Sequence, residues 1–292
     1  MSKPHWEDLP DTTRAAIEAR CGTVIKAEPI TQGVMPGLAA RLDTADGCRF
    51  FLKAVPDDSP ARNLYVREQA ANTALSTATN APLMLWSSIR NGWVVMLFEY
   101  LDSRDADLSP DSPDLPQVVA LLERLCTLPA WEGAPPVVRN VEALGEKANA
   151  LLNKQTDGEH WEMYAQALDR FDLDTLTSNA LVHYDLSPGN LQITDDGVNA
   201  IDWSFACAGA AWLDAALLLP RLIEAGHTPA QAEPLMAGVS AWHAAPPSSI
   251  TGLATLWTMF REYKALYGPE ALRDARTQAA EAGRAWIEYR IR

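Results

Sequence analysis

Leu181-Val-His-Tyr-Asp-Leu-Ser-Pro-Gly-Asn-Leu-Gln-Ile193 is the stretch on which the reading of this chain turns. An apolar run leads into His183-x-Asp185, and Asn190 follows five positions after the aspartate. Ser187-Pro188-Gly189 between them is turn chemistry, suited to bringing the Asn190 amide back toward Asp185. Beyond Ile193, Thr194-Asp-Asp-Gly197 reads as a hairpin turn between two short strands, and the second strand runs into Asp202-Trp203.

These residue types in this order suit the transfer of a phosphoryl group to an alcohol. The incoming hydroxyl must be aimed and must lose its proton late in the transfer, a task for a carboxylate, here Asp185. With an ordinary pKa of about 3.9, an aspartate orients the hydroxyl and takes its proton late instead of stripping it beforehand. A magnesium ion needs hard oxygen donors, and Asn190 with Asp202 supplies an amide and a carboxylate. The hairpin is expected to return Asp202 toward the other two, and His183 to brace the loop.

Toward the N-terminus, Asp11-Thr12 ahead of RAAIEAR and Gly22 predicts a short, side-chain-capped helix. Strands are expected over residues 23–30, 38–44 and 48–55, with Asp46-Gly47 turning the last pair. A helix is expected over 61–77, and a second hairpin over 83–89 and 93–100 around Asn91-Gly92. Lys53 lies in the apolar run Phe51-Leu-Lys-Ala-Val55, where an unpaired ammonium is expensive to bury, and Glu68 on the following helix is its expected partner. Together they suit a phosphate-facing lysine. Phe98, Glu99, Tyr100 and Leu101 end the last of these strands, where backbone groups and apolar side chains suit a nucleotide base. Gly33 and Gly37 offer a flexible loop without a G-x-G-x-x-G pattern.

After residue 101 the pattern changes. Asp102, Asp105, Asp107, Asp111 and Asp114, with three prolines, read as a solvated linker without a strand pattern. Helical periodicity then dominates: 117–128, 141–152, 159–171, 214–225, a capping box at Thr228-Pro-Ala-Gln231, and a helix capped by Ser249 that stops at Gly268-Pro269. The expected fold is therefore α+β and bilobal, with an antiparallel-sheet lobe over 1–101 and a mainly helical lobe over 102–292.

The joint pattern resembles the aminoglycoside phosphotransferase and choline kinase-like family of small-molecule kinases, which have a protein-kinase-like fold. The resemblance spans roughly residues 24–225 and is strongest from His183 to Asp214. It implies that Asp185 is the catalytic aspartate, Asn190 and Asp202 the magnesium ligands, Lys53 the lysine on the α- and β-phosphates and Glu68 its partner. Asp214, at the start of a helix, is implied as a cap and loop brace. Tyr184 departs from the family, which often has glycine there. No A-P-E follows Asp202, which disfavours a protein kinase. The implied reaction takes ATP (or GTP) with Mg2+ and a small-molecule alcohol, antibiotic-like in a resistance or self-protection role. Metabolic kinases of choline, sugars or amino alcohols are the alternative, as is a pseudokinase without turnover.

Composition narrows the partners. A formal charge of −14 and a pI near 4.7 disfavour nucleic acid. No apolar run approaches the roughly 18 residues of a membrane span, and the first residues lack a signal-peptide h-region, so a cytoplasmic, membrane-free protein is expected. Cys21, Cys48, Cys126 and Cys207 are scattered and read as small buried hydrophobes. Trp203, following Asp202, and Glu262 are candidate substrate contacts. Trp212, Trp242, Trp257 and His243 read as structural.

Overall fold

Successive side chains of a strand point to opposite faces of its sheet, so the run Phe51 to Val55 must serve two faces at once. The computed structural model describes residues 3–31, 35–75, 79–154 and 160–292. After helix α1 (Asp11–Cys21) come strands β1 (Val24–Pro29), β2 (Leu38–Thr44) and β3 (Arg49–Pro56), then α2 (Arg62–Ala74), β4 (Met84–Arg90) and β5 (Trp93–Glu99). The five strands form one antiparallel sheet in the order β1-β2-β3-β5-β4. Leu52 and Ala54 pack with Leu42, Leu97 and Ile17 of α1. Val55, Met96 and Phe98 pack with Tyr65 of α2 on the other face. Covering both faces explains why β3 and β5 read as nearly unbroken apolar runs. Asn91 and Gly92 both take positive φ, 55° and 77°, the pairing that a tight type I′ hairpin demands.

The remaining elements are β6 (Arg104–Asp105), α3 (Leu115–Cys126), α4 (Val138–Leu152), α5 (Trp161–Asp169), β7 (Ala180–Val182), β8 (Leu191–Thr194), β9 (Gly197–Ala200), β10 (Cys207–Gly209), α6 (Leu213–Glu224), α7 (Pro229–Leu235), α8 (Pro247–Tyr267) and α9 (Arg273–Ile291). The chain divides into two units, Met1–Arg104 with Asn199–Phe205, and Asp105–Val198 with Ala206–Arg292. In the second unit α8 is the central rod, buried almost all round from Ser249 to Met259 and packed by α9, α4, α5 and α6. Its buried hydroxyls turn inward, Thr255 onto Thr251 O at 2.9 Å and Thr258 onto Ala254 O at 2.7 Å.

Several local expectations are corrected. α1 has Pro10 at its N-cap with no side-chain cap, and Asp11 pairs with Arg14 instead. Ser249 lies inside α8, which begins at Pro247, and its hydroxyl accepts from Thr175 at 2.7 Å. The aspartate run is not all linker: Ala106 N–H bonds Leu191 O at 2.8 Å beside β8, and buried Asp114 accepts the N–H of Asp107 at 2.9 Å. Cys21 and Cys207 are buried, but Cys48 is exposed and Cys126 half-buried. The capping box at Thr228 and Gln231 forms as predicted. Among the described residues no helix is long and apolar enough to cross a membrane.

Candidate active site

In the first unit the alternation of β3 sends Lys53 to the α2 face with Val55. Tyr65, Glu68 and Ala71 are the buried residues of α2, three apart, and so share the face that meets it. The Lys53 ammonium reaches Glu68 Oε2 at 2.5 Å and Asp202 Oδ1 at 3.1 Å, with the Tyr65 ring 5.5 Å away. Burial alone would lower the Lys53 pKa, but Asp202 and Glu68 outweigh it and hold the ammonium above its ordinary value. Burial pushes the Glu68 carboxyl up to about 7 against the pull of Lys53. Tyr65 is likewise pushed up to about 12 by burial. Gly37 leaves room for this cluster, since a Cβ there would sit 2.1 Å from the Tyr65 hydroxyl.

Asp202 reaches Lys53 from an unusual backbone, φ 62°, a left-handed conformation that aspartate tolerates better than most residues. The turn that follows, Trp203–Phe205, packs on α2. Trp203 pins it: the indole is buried and donates to Ala200 O at 3.0 Å. A side chain 1% exposed has no face left for a substrate, so the expectation of a Trp203 contact does not fit its burial.

In the second unit β7 delivers His183, Tyr184 and Asp185. His183 is fully buried. Asp214 lies one residue inside α6, and its carboxylate receives the N–H of His183 at 2.8 Å and that of Tyr184 at 2.7 Å. It braces the loop without capping the helix. Burial pushes this carboxyl up to about 6, opposed by the two N–H donors. Tyr184, where glycine would be unstrained, is held at φ 75°. Asn190 returns as the spacing suggested, its Nδ2 donating to Asp185 O at 2.8 Å. Asp185 keeps 41% of its side chain exposed, and Arg221 of α6 stands 4.0 Å from its Oδ1.

The Asn190 bond fixes the amide: with its nitrogen engaged, the oxygen is the atom that can take a cation. Among the described residues no group of three or more His, Cys, Asp or Glu side chains is arranged to hold a metal. An amide oxygen, like a carboxylate oxygen, is the hard donor type that magnesium takes beside waters and phosphate.

The remaining predicted residues are placed as follows. Phe98 is buried in the α2-side core. Glu99 ends β5, exchanging bonds with Leu83 through its backbone N–H at 3.0 Å and its Oε1 at 2.8 Å. Tyr100 lies 4.9 Å beneath the Arg49 guanidinium, and Leu101 is half-buried. Gly33 lies outside the described residues. Glu262 is engaged by Arg284 and by the Tyr164 hydroxyl at 2.7 Å, a helix-to-helix brace. Sequence reasoning missed Arg221 and Arg261, both on apolar helices. A charge embedded in such a run, Leu217-Leu-Leu-Pro-Arg221 or Trp257-Thr-Met-Phe-Arg261, was the available signal.

A five-stranded antiparallel sheet carrying a buried Lys–Glu pair, followed by a mainly helical part that holds a His-x-Asp loop after its third helix, defines the protein-kinase-like fold of small-molecule phosphotransferases. The chain belongs to the phosphotransferase enzyme family APH, whose model matches residues 28–249. Similar solved structures include the choline kinase LicA from Streptococcus pneumoniae, with TM-score 0.63 and 15% identity over 94% of this chain and 98% of that one. A thermostable mutant of the aminoglycoside phosphotransferase APH(4)-Ia gives 0.61 and 16% over 95% and 98%. The macrolide 2'-phosphotransferase MphH from Brachybacterium faecium gives 0.56 and 14% over 94% and 98%. No curated protein matches the sequence.

Proposed function

We propose that this phosphotransferase moves the γ-phosphoryl group of ATP onto a hydroxyl of a small molecule, with Asp185 orienting that hydroxyl. The observation that carries the reading is the pair of braced motif residues: Asp202 fixed on Lys53 at 3.1 Å, and Asp185 held partly exposed in a loop tied down by Asp214. Lys53, kept charged by its two carboxylates, is the group for the α- and β-phosphates, and Glu68 positions it. The chain near Glu99 to Leu101 is the place for the base. Asn190 and Asp202 carry the oxygens for magnesium, and the ion, when bound, would neutralise phosphate charge. Asp185 aligns the acceptor oxygen and takes its proton as the new P–O bond forms. Retention of these groups together favours turnover over a pseudokinase.

The acceptor is a small alcohol. An antibiotic-modifying role is motivated by the family and by the aminoglycoside and macrolide phosphotransferases among the similar structures, and a metabolic acceptor by the choline kinase among them. Incubating the protein with ATP, Mg2+ and a panel of alcohols, antibiotics included, and measuring acceptor mass tests the reading. One added phosphoryl group per acceptor, with ADP formed in equal amount, is expected. ATP turnover without any modified alcohol would contradict it.

A further inference from the structure

The environment of Asp185 within the second unit is cationic in a strongly acidic protein. Arg221 is committed: its Nη1 contacts both oxygens of Glu224 at 3.2 and 3.1 Å, its Nη2 stands 4.0 Å from Asp185, and its guanidinium lies 5.2 Å over the Trp257 ring. Arg261 lies over the same ring at 4.7 Å and also over Phe260 at 5.7 Å. Among the described residues Arg261 makes no hydrogen bond or ion pair, and its Nε is sealed from solvent without a partner. Other partly buried arginines have carboxylates: Arg284 pairs with Glu262, Arg290 with Glu233, Arg41 with Asp43. With a formal charge of −14, carboxylates are not scarce, so an unmatched guanidinium beside another calls for an explanation.

Like charges gather further around it. Burial and then Arg221 push the Arg261 pKa down to about 10. Lys264 is lowered by burial and by Arg276, Lys147 and Arg261. Positive groups thus gather along this stretch of α8, and the carboxylates that act on Arg261 are Asp185 and Glu224, the latter already bound to Arg221. Such an arrangement repels a cationic alcohol and suits a planar oxyanion, which a guanidinium fork grips with two parallel hydrogen bonds. Trp257, which reads from sequence as core, is the platform that holds both forks in place.

We infer that the acceptor carries a carboxylate or phosphate group, which Arg261 binds against the Trp257 indole while Asp185 meets the hydroxyl. The inference deepens the phosphotransferase reading and rests on it. It disfavours aminoglycosides and choline-like alcohols as acceptors.

The test pairs anionic alcohols with neutral parents, glycerate and glycerol 3-phosphate against glycerol and sorbitol 6-phosphate against sorbitol, with choline and kanamycin as cations. Turnover is followed with MgATP, and binding of glycerate and glycerol 3-phosphate is followed separately by calorimetry without nucleotide. The hydroxy acid and phosphate arms separate the two oxyanions. We expect at least one anionic acceptor to be preferred over its parent by about tenfold or more in kcat/KM. Arg261→Gln should raise that acceptor's KM by about tenfold with the KM for ATP unchanged, and Arg261→Lys should recover part of the loss. Arg276→Gln, which removes a positive charge acting on Arg261, provides a second variant with the same direction of change in KM should Arg261→Gln fail to fold. Preference for neutral or cationic alcohols, a rise in the KM for ATP alone, or no binding of either anion would overturn the inference and leave the phosphotransferase reading standing. Binding that depends on Arg261 with no alcohol phosphorylated would do the reverse: the subsite would stand and the reaction would fall.

Discussion

Tyr184 and Asp202 share a backbone property that few side chains accept, a positive φ, and each is held there by identifiable neighbours. Asp202 is fixed by the Trp203 turn and by Lys53. Tyr184 is fixed by the Asp214 carboxylate, which receives two successive N–H groups. The Tyr184 hydroxyl is buried without a partner among the described residues. Leaving such a group unmatched costs about 1–3 kcal/mol, so Tyr184→Phe should leave stability unchanged or raise it by about 1 kcal/mol in urea titrations. A loss of more than about 1 kcal/mol would mean that the hydroxyl is satisfied after all. Asp214 gives a pH signature. Its folded pKa of about 6 lies above the unfolded value of about 3.9, so the folded state holds that proton more tightly. The resulting stabilisation is complete below about pH 4 and is lost as pH rises through about 6, about 3 kcal/mol in all. The stability difference between wild type and Asp214→Asn should therefore change across pH 4–6 in denaturant titrations. A difference independent of pH would contradict the shift.

At the scale of elements, β3 and α2 are joined by one buried ion pair, and its two jobs can be separated. Lys53→Met leaves the buried Glu68 carboxylate without its ammonium, which should destabilise the fold by about 3–5 kcal/mol. Adding Glu68→Leu should restore most of that stability by replacing the pair with apolar packing, while phosphoryl transfer stays lost. Recovered activity in the double variant, measured as acceptor phosphorylation, would remove Lys53 from the chemistry. This pair was legible beforehand because strand alternation and helix spacing are local rules, and both place their residue on the shared face. The Asp185–Asn190 return was legible for the same reason: a Ser-Pro-Gly turn of fixed length leaves the amide few places to go. Trp203 was misread because its neighbour in sequence is a motif aspartate, whereas burial of its indole is decided by α2, distant in sequence. Ser249 was misread because a serine near a helix start resembles a cap, and only tertiary contact reveals Thr175 as its partner.

For the molecule as a whole, the order of a strand-rich part and a helical part follows from periodicity, and a five-stranded antiparallel sheet followed by helices is what the chain forms. What periodicity could not reveal is which charges lack a counterpart. Arg221 and Arg261 look alike in sequence, each a cation set in an apolar run, yet one is bound by Glu224 and the other makes no hydrogen bond or ion pair among the described residues. That distinction, set by packing around Trp257, bears on the acceptor, which is where the sequence was silent. In the proposed reaction Asp185 is the carboxylate that orients the acceptor hydroxyl. Single-turnover transfer of labelled γ-phosphoryl from ATP to an accepted alcohol, compared between wild type and Asp185→Asn, tests it most directly. The account predicts a fall of about 10²–10⁴-fold in the transfer rate with the thermal unfolding transition retained; transfer by the variant at the wild-type rate would contradict it.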